Sequence, residues 1–260
     1  MNLRRHPTGT AVALLLVFSS LAATTRADWT VTAFDHQPGG TGAIEYRHYS
    51  LGETSSGSAA ELQLTLFSNQ KASLRVIDQP NFDRRLAAAM TQENCLAGVN
   101  GGYFDPEGAP VGLLMSDGKI IAPFRRARLL SGVLAARPGR VEIFRASEFP
   151  NQKKSWREAV QCGPFLIDRG KPVAHLDDTR SARRTFVLTT TDRQAAIGYC
   201  EPVTLAQLAR ILAALSQLKV ARALNLDGGS SSAFWCRTAE QTVSVSELKP
   251  VRDFLAIVPR

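Results

Sequence analysis

Leu62, Leu64 and Leu66 alternate with polar residues, the two-residue period of a half-buried strand. Leu74-Arg75-Val76-Ile77 reads as a second strand, and the alanine-rich stretch from Arg84 to Met90 as a short helix. Leu96-Ala97-Gly98-Val99 is an apolar strand running into Asn100-Gly101-Gly102, a tight-turn signal. Short strands follow from Val111 to Ile143, divided at Asp117-Gly118 and Pro138-Gly139. Phe165-Leu166-Ile167 ends at Asp168-Arg169-Gly170. Phe186-Val187-Leu188 and Ala195-Ala196-Ile197 predict a hairpin around Thr191-Asp192-Arg193. Leu205, Leu208, Ile211, Leu212, Leu215 and Leu218 recur at helical spacing, and Thr204 with Gln207 forms a capping-box signature before them. Ala223-Leu224-Asn225-Leu226 then reads as a buried strand entering Asp227-Gly228-Gly229-Ser230-Ser231-Ser232. Residues 28 to about 60 are mixed, with turn signals at Gly39-Gly40 and from Ser55 to Ser58.

Many short strands and few helices predict an α+β fold, a single domain on a large mixed β-sheet. No regular βαβ alternation, internal repeat or linker is visible. A chain of 260 residues with 44% hydrophobic composition is long enough for a sizeable core.

The N-terminus reads as a targeting segment. Arg4 and Arg5 precede the wholly apolar run from Ala11 to Phe18, and Thr25-Arg26-Ala27 offers small residues at a cleavage site. Residues 1–27 are expected to be a signal peptide, and 28–260 the mature domain. An uncleaved anchor is the competing reading, but the apolar run is short of the roughly 20 residues a spanning helix needs. Stable membrane insertion after cleavage is not expected, and the expected location is the periplasm or the exterior. Cleavage removes Arg4, Arg5 and Arg26 from 31 basic residues and none of the 23 acidic ones, leaving a net charge of +5. With no dense basic block interleaved by aromatics, nucleic acid is not an expected partner.

Cys95, Cys162, Cys200 and Cys236 are even in number, which in an exported chain predicts two disulfides. Cys95–Cys162 with Cys200–Cys236 is one of three pairings. Buried free thiols are the other reading. No C-x-x-C pair supports a zinc module.

Two glycine turns carry the candidate chemistry. Asn100-Gly101-Gly102 and Asp227-Gly228-Gly229 each follow an apolar strand and present a polar side chain beside exposed amides, which suits an anion. Either alone is also an ordinary hairpin turn. The serines after Asp227 do not form the G-x-S-x-G elbow, and no histidine sits in a base motif, so a Ser-His-Asp hydrolase is poorly supported. Arg184, in Arg183-Arg184-Thr185 at a strand mouth, offers a forked donor for phosphate.

The stretch Val99-Asn100-Gly101-Gly102-Tyr103-Phe104-Asp105, with Gly108, Pro110, Gly112-Leu113 and Ser116-Asp117-Gly118-Lys119, resembles a signature block of the phosphodiester glycosidase family. Gly163-Pro164-Phe165-Leu166, Arg184-Thr185, and Ala223-Leu224-Asn225-Leu226-Asp227-Gly228-Gly229-Ser230-Ser231 resemble later blocks in the same order, from about Asn94 to Phe234. Ser230 stands where a third glycine is more usual, and Phe186-Val187-Leu188 where an alanine and glycine are. These departures bear on substrate choice more than on reaction class.

The resemblance implies an exported glycosidase that hydrolyses the bond between a sugar anomeric carbon and phosphate in a sugar-1-phosphodiester glycan. A non-catalytic envelope glycan-binding protein of the same fold is the alternative, and a structural partner in an envelope polysaccharide machine a third class. Asp227, Arg184, Asn100 and Asp105 are the expected catalytic residues. Gly101, Gly102, Tyr103, Gly228, Gly229, Ser230 and Ser231 are the expected substrate-binding ones. No cofactor is expected, although Asn100, Asp105 and Asp227 offer oxygen ligands of the kind that suit a divalent cation.

Overall fold

The computed structural model describes residues 29–151 and 155–260. The expected signal peptide lies outside the described residues. Among the described residues strands dominate, with two α-helices, Leu86–Gln92 and Leu205–Ala214, so the α+β expectation holds. The strands divide into three sheets. An eight-stranded sheet runs in the spatial order Trp29–Pro38, Ile44–Glu53, Ala59–Ser68, Gln194–Val203, Ala182–Thr190, Val220–Asn225, Phe165–Asp168 and Lys171–Pro172. A five-stranded sheet orders Lys119–Ala122, Leu114–Ser116, Glu158–Cys162, Gly132–Arg137 and Arg140–Arg145. Another orders Thr242–Val245, Phe234–Arg237, Ala97–Asn100, Asp253–Pro259 and Ala72–Asp78. Among the described residues, every ladder between neighbouring strands is antiparallel.

The faces of all three sheets meet in one apolar core. Ile44, Tyr46, Val187, Ile197 and Leu224 come from the large sheet, Leu134 and Val160 from the second, and Val99, Phe234 and Leu255 from the third. Because side chains alternate along a strand, the neighbouring positions of the large sheet face the other way. Leu62, Leu64, Leu66, Phe186 and Leu188 pack there against Leu208, Ile211 and Leu212 of the longer helix. Its start is set as the sequence implies: Thr204 Oγ1 accepts from the Gln207 amide at 3.0 Å, and Gln207 Oε1 accepts from the Thr204 amide at 2.9 Å. The helix stops at Ala214, and Leu218 closes the apolar face from a 3-10 turn. The shorter helix, through Leu86, Ala89 and Met90, covers the outer face of the third sheet. The expected hairpin forms, with Arg193 in the left-handed region at φ 65°.

The disulfide expectation is corrected: all four cysteines are free and buried. Each proposed pair is split between different cores. Cys95 lies under the shorter helix and Cys162 in the common core; Cys200 faces the longer helix and Cys236 the common core. Burial raises every one of these thiols, Cys95 and Cys236 to about 11. They act as small core hydrophobes.

Candidate active site

The strand Ala97–Asn100 in the third sheet and Val220–Asn225 in the large sheet end side by side. Asn100 is completely buried and fastens this junction. Its Nδ2 donates to the Asp227 carbonyl at 2.8 Å, while its Oδ1 accepts from Thr185 Oγ1 at 2.7 Å and from the Ala233 amide at 3.0 Å. The Asp227 amide donates in turn to the Gly101 carbonyl at 3.1 Å. The two glycine turns, 127 residues apart along the chain, are thus one unit.

Gly101 is demanded by close approach. A β-carbon there would stand 1.7 Å from Asp253 Oδ1. Asp253 is itself buried, and its Oδ1 accepts from the Gly102 amide at 3.0 Å. Burial is the main cause that raises its carboxyl to about 7, with Asp78 and Asp227 adding to the effect and the Gly102 amide and Arg252 opposing it.

Asp227 opens onto a cleft of ≈ 440 Å³, whose wall includes Tyr103, Asp177, Arg180, Arg184, Asn225 and Lys249. Gly228 to Ser231 form its floor, and Gly229 takes a positive φ of 64°. The Gly228 amide donates to Asp227 Oδ1 at 2.9 Å. Burial raises the Asp227 carboxyl above the ordinary aspartate range, opposed by Ser231, the Gly228 amide and Lys249. Asp177, on the same cleft but exposed, is shifted the other way, chiefly because the Thr179 hydroxyl donates to it.

Arg184 is the third residue of the strand Ala182–Thr190 and is buried. Nε donates to the Val203 carbonyl at 2.9 Å, and one Nη donates to the Arg180 carbonyl at 2.6 Å. Nη1 is the nitrogen nearest Gly228, 3.9 Å from where a β-carbon would sit. Among the described residues no carboxylate pairs with Arg184, and burial lowers its affinity for the proton. A desolvated guanidinium held in place by two carbonyls, with Asp177 across the cleft as a counter-charge that does not contact it, is arranged to receive an anion.

Of the residues singled out from the sequence, Asp227, Arg184, Tyr103, Gly228, Gly229, Ser230 and Ser231 line this cleft together. Gly101 and Gly102 lie buried beneath it. Asn100 is behind the wall, its carboxamide oxygen already accepting two hydrogen bonds. Asp105 closes its own loop by accepting from the Ala109 amide at 2.7 Å, outside the cleft lining. Asn100, Asp105 and Asp227 therefore do not converge as a chelating set, and the described residues hold no group of three or more His, Cys, Asp or Glu that would cage a metal ion.

Asp177, Arg180, Asn225, Lys249 and, behind them, Asp253 went unread. Asn225 carried a signal, as a polar residue inside an apolar run. It donates to the Gly163 carbonyl at 3.0 Å and to Tyr103 Oη at 3.3 Å, while Tyr103 Oη donates to the same carbonyl at 2.5 Å. Asp253, Arg180 and Lys249 carried none, since only the fold brings them to the turns.

The phosphodiester glycosidase family model matches residues 93–258. By sequence, no curated protein matches the chain. The zebrafish N-acetylglucosamine-1-phosphodiester alpha-N-acetylglucosaminidase catalytic domain, solved auto-inhibited by its pro-peptide, superposes with a TM-score of 0.64 at 18% identity, over 87% of this chain and 88% of that one. A hypothetical protein from Synechocystis gives 0.62 at 14% identity, over 84% and 62%. A Burkholderia pseudomallei protein gives 0.52 at 14%, over 79% and 75%. At these identities the likenesses speak for the fold; the family model, covering most of the chain and both glycine turns, goes further. The chain belongs to the phosphodiester glycosidase family.

Proposed function

We propose that the protein hydrolyses sugar-1-phosphodiesters at the bond between the anomeric carbon and the phosphate oxygen, in the periplasm or outside the cell. The observation that carries this reading is the pairing, on one cleft, of a half-buried carboxylate with raised pKa and a buried arginine that no carboxylate contacts among the described residues. As the C1–O bond breaks, its electron pair moves to the phosphate oxygen and C1 takes on oxocarbenium character. Arg184 and the amides of Gly228-Gly229 stabilise the departing phosphate. Asp227 takes the proton of the attacking water, whose oxygen joins C1, and the products are a reducing sugar and a phosphate monoester. A carboxylate whose proton affinity is raised by burial is a stronger base for that transfer. Asn100, Tyr103 and Asn225 are positioning residues: they fix the two turns and the Gly163 carbonyl. Asp105 has no assigned role in the reaction.

Export rests on the order of charged start, apolar run and small-residue site at residues 1–27. No helix among the described residues is long and apolar enough to cross a membrane. The test is a panel of sugar-1-phosphodiesters incubated with the mature protein. Free sugar and phosphate monoester released in equal amounts support the reading; tight glycan binding without turnover would support the non-catalytic one.

A further inference from the structure

One side of the cleft is bordered by a loop that the proposed chemistry leaves unused. Residues 123–130 read Pro-Phe-Arg-Arg-Ala-Arg-Leu-Leu. Arg125, Arg126 and Arg128 are exposed, and among the described residues no hydrogen bond or ion pair engages their side chains. Leu129 is 54% exposed and is itself part of the cleft wall. The loop is not loosely tethered. Gln161, 1% exposed, accepts from the Arg125 amide at 3.0 Å and donates to the Arg125 carbonyl at 2.6 Å and the Leu130 carbonyl at 3.4 Å. The Leu129 carbonyl also abuts Gly163, where a β-carbon would come within 2.3 Å of it, and the Gly163 carbonyl receives the Tyr103 hydroxyl. Three arginines are therefore displayed on a pinned loop that lends Leu129 to the wall of a cleft already holding Arg180, Arg184 and Lys249 against Asp177 and Asp227.

A single phosphodiester needs one anion site, and Arg184 with the Gly228-Gly229 amides supplies it. Holding three further guanidinium groups together without carboxylates raises their mutual repulsion, which an extended polyanion relieves. We propose that this loop selects a polyanionic substrate, a glycan whose repeating units are joined by phosphodiesters, with phosphates beyond the scissile one bound by Arg125, Arg126 and Arg128. This rests on the phosphodiester glycosidase reading and specifies its substrate class. An anionic lipid surface is the rival ligand for such a loop. The seat of Leu129 in the cleft wall and the anchoring of Arg125 and Leu130 by one buried glutamine favour the glycan, because they fix the loop relative to the reacting bond.

The test compares a sugar-1-phosphodiester carrying one phosphate with an oligomer of the same unit carrying six. Wild-type protein and the R125A/R126A/R128A variant are assayed for kcat/KM and, by calorimetry, for binding. The wild type is expected to favour the oligomer, and the preference to fade between 50 and 500 mM salt, as screening of exposed charges requires (Debye length ~10 Å at ~0.1 M). The variant is expected to lose about tenfold or more on the oligomer relative to its loss on the single phosphodiester. Equal losses on the two substrates, or a wild type blind to length, would overturn the proposal. So would arginine-dependent binding to phosphatidylglycerol vesicles without any length dependence on the glycan. If neither substrate is turned over, the hydrolytic reading fails on its own account. The calorimetric length dependence then still decides the role of the loop.

Discussion

Arg184 gives up two of its donor directions to the Val203 and Arg180 carbonyls and keeps Nη1 near Gly228. A lysine there keeps the charge but cannot hold both carbonyls and still present a fork. Arg184→Lys is expected to lose about tenfold or more in kcat/KM at a temperature where it is still fully folded, with a somewhat lower melting temperature from the carbonyl left without its donor; unchanged kinetics would remove Arg184 from the anion site. Asp253 controls stability through the same turns. Its carboxyl, ordinarily near 3.8, is raised to about 7 in the fold. Between those two values the folded protein keeps a proton that the unfolded chain has released, so Asp253's contribution to stability is greatest below about pH 4, falls as pH rises through 4 to 7, and is level above that. The size of the effect is on the order of 4 kcal/mol at most. Asp253→Asn keeps an oxygen for the Gly102 amide and removes the charge. It is expected to flatten that slope and to melt higher than wild type at pH 8. Chemical denaturation at pH 5 and pH 8 measures this, and a variant with the wild-type slope would place the titration elsewhere.

At the scale of elements, the helix after Thr204 was legible because its signals are local: an apolar face at helical spacing and a capping box at its head. Thr204→Ala removes the hydroxyl that accepts from Gln207 and donates to Asp178 at 2.6 Å. A loss of about 1 kcal/mol, a fall in melting temperature of roughly 2–4 °C, is expected in thermal denaturation; an unchanged midpoint would mean the helix start is held by packing alone. The first two strands were not legible. Trp29–Pro38 is an edge strand exposed along most of its length, so it needs no alternation. In Ile44–Glu53 both faces are covered: Ile44 and Tyr46 point into the common core, Tyr49 and Leu51 to the helix side. The apolar residues therefore fall on both phases, and the polar Arg47 and His48 interrupt them.

For the whole molecule, the α+β class was readable from many short strands and few helices, but the division into three sheets was not. Strand neighbours such as Ala59–Ser68 and Gln194–Val203 are far apart in sequence, and no local pattern records their pairing. The same holds for the site. Asp227, Arg184 and Tyr103 were found through their motifs, whereas Asp253, Arg180 and Lys249 reach the turns only by folding. Cysteine parity misled for a related reason, since an even count says nothing about whether the core can supply the stability. Here the common core and its satellites bury all four thiols. Alkylation under native conditions is expected to label none of them and, after unfolding without reductant, all four; absence of labelling after unfolding would restore the disulfides.

Turnover of a sugar-1-phosphodiester by Asp227→Asn decides whether Asp227 is the carboxylate that acts on the reacting sugar. The substitution is nearly isosteric, and an asparagine oxygen still accepts from the Gly228 amide, so the fold and glycan-phosphate binding should persist. The expected result is a kcat lower by roughly 10²–10⁴-fold at a melting temperature no lower than that of the wild type. A folded variant turning over at the wild-type rate would mean that another group acts on the sugar.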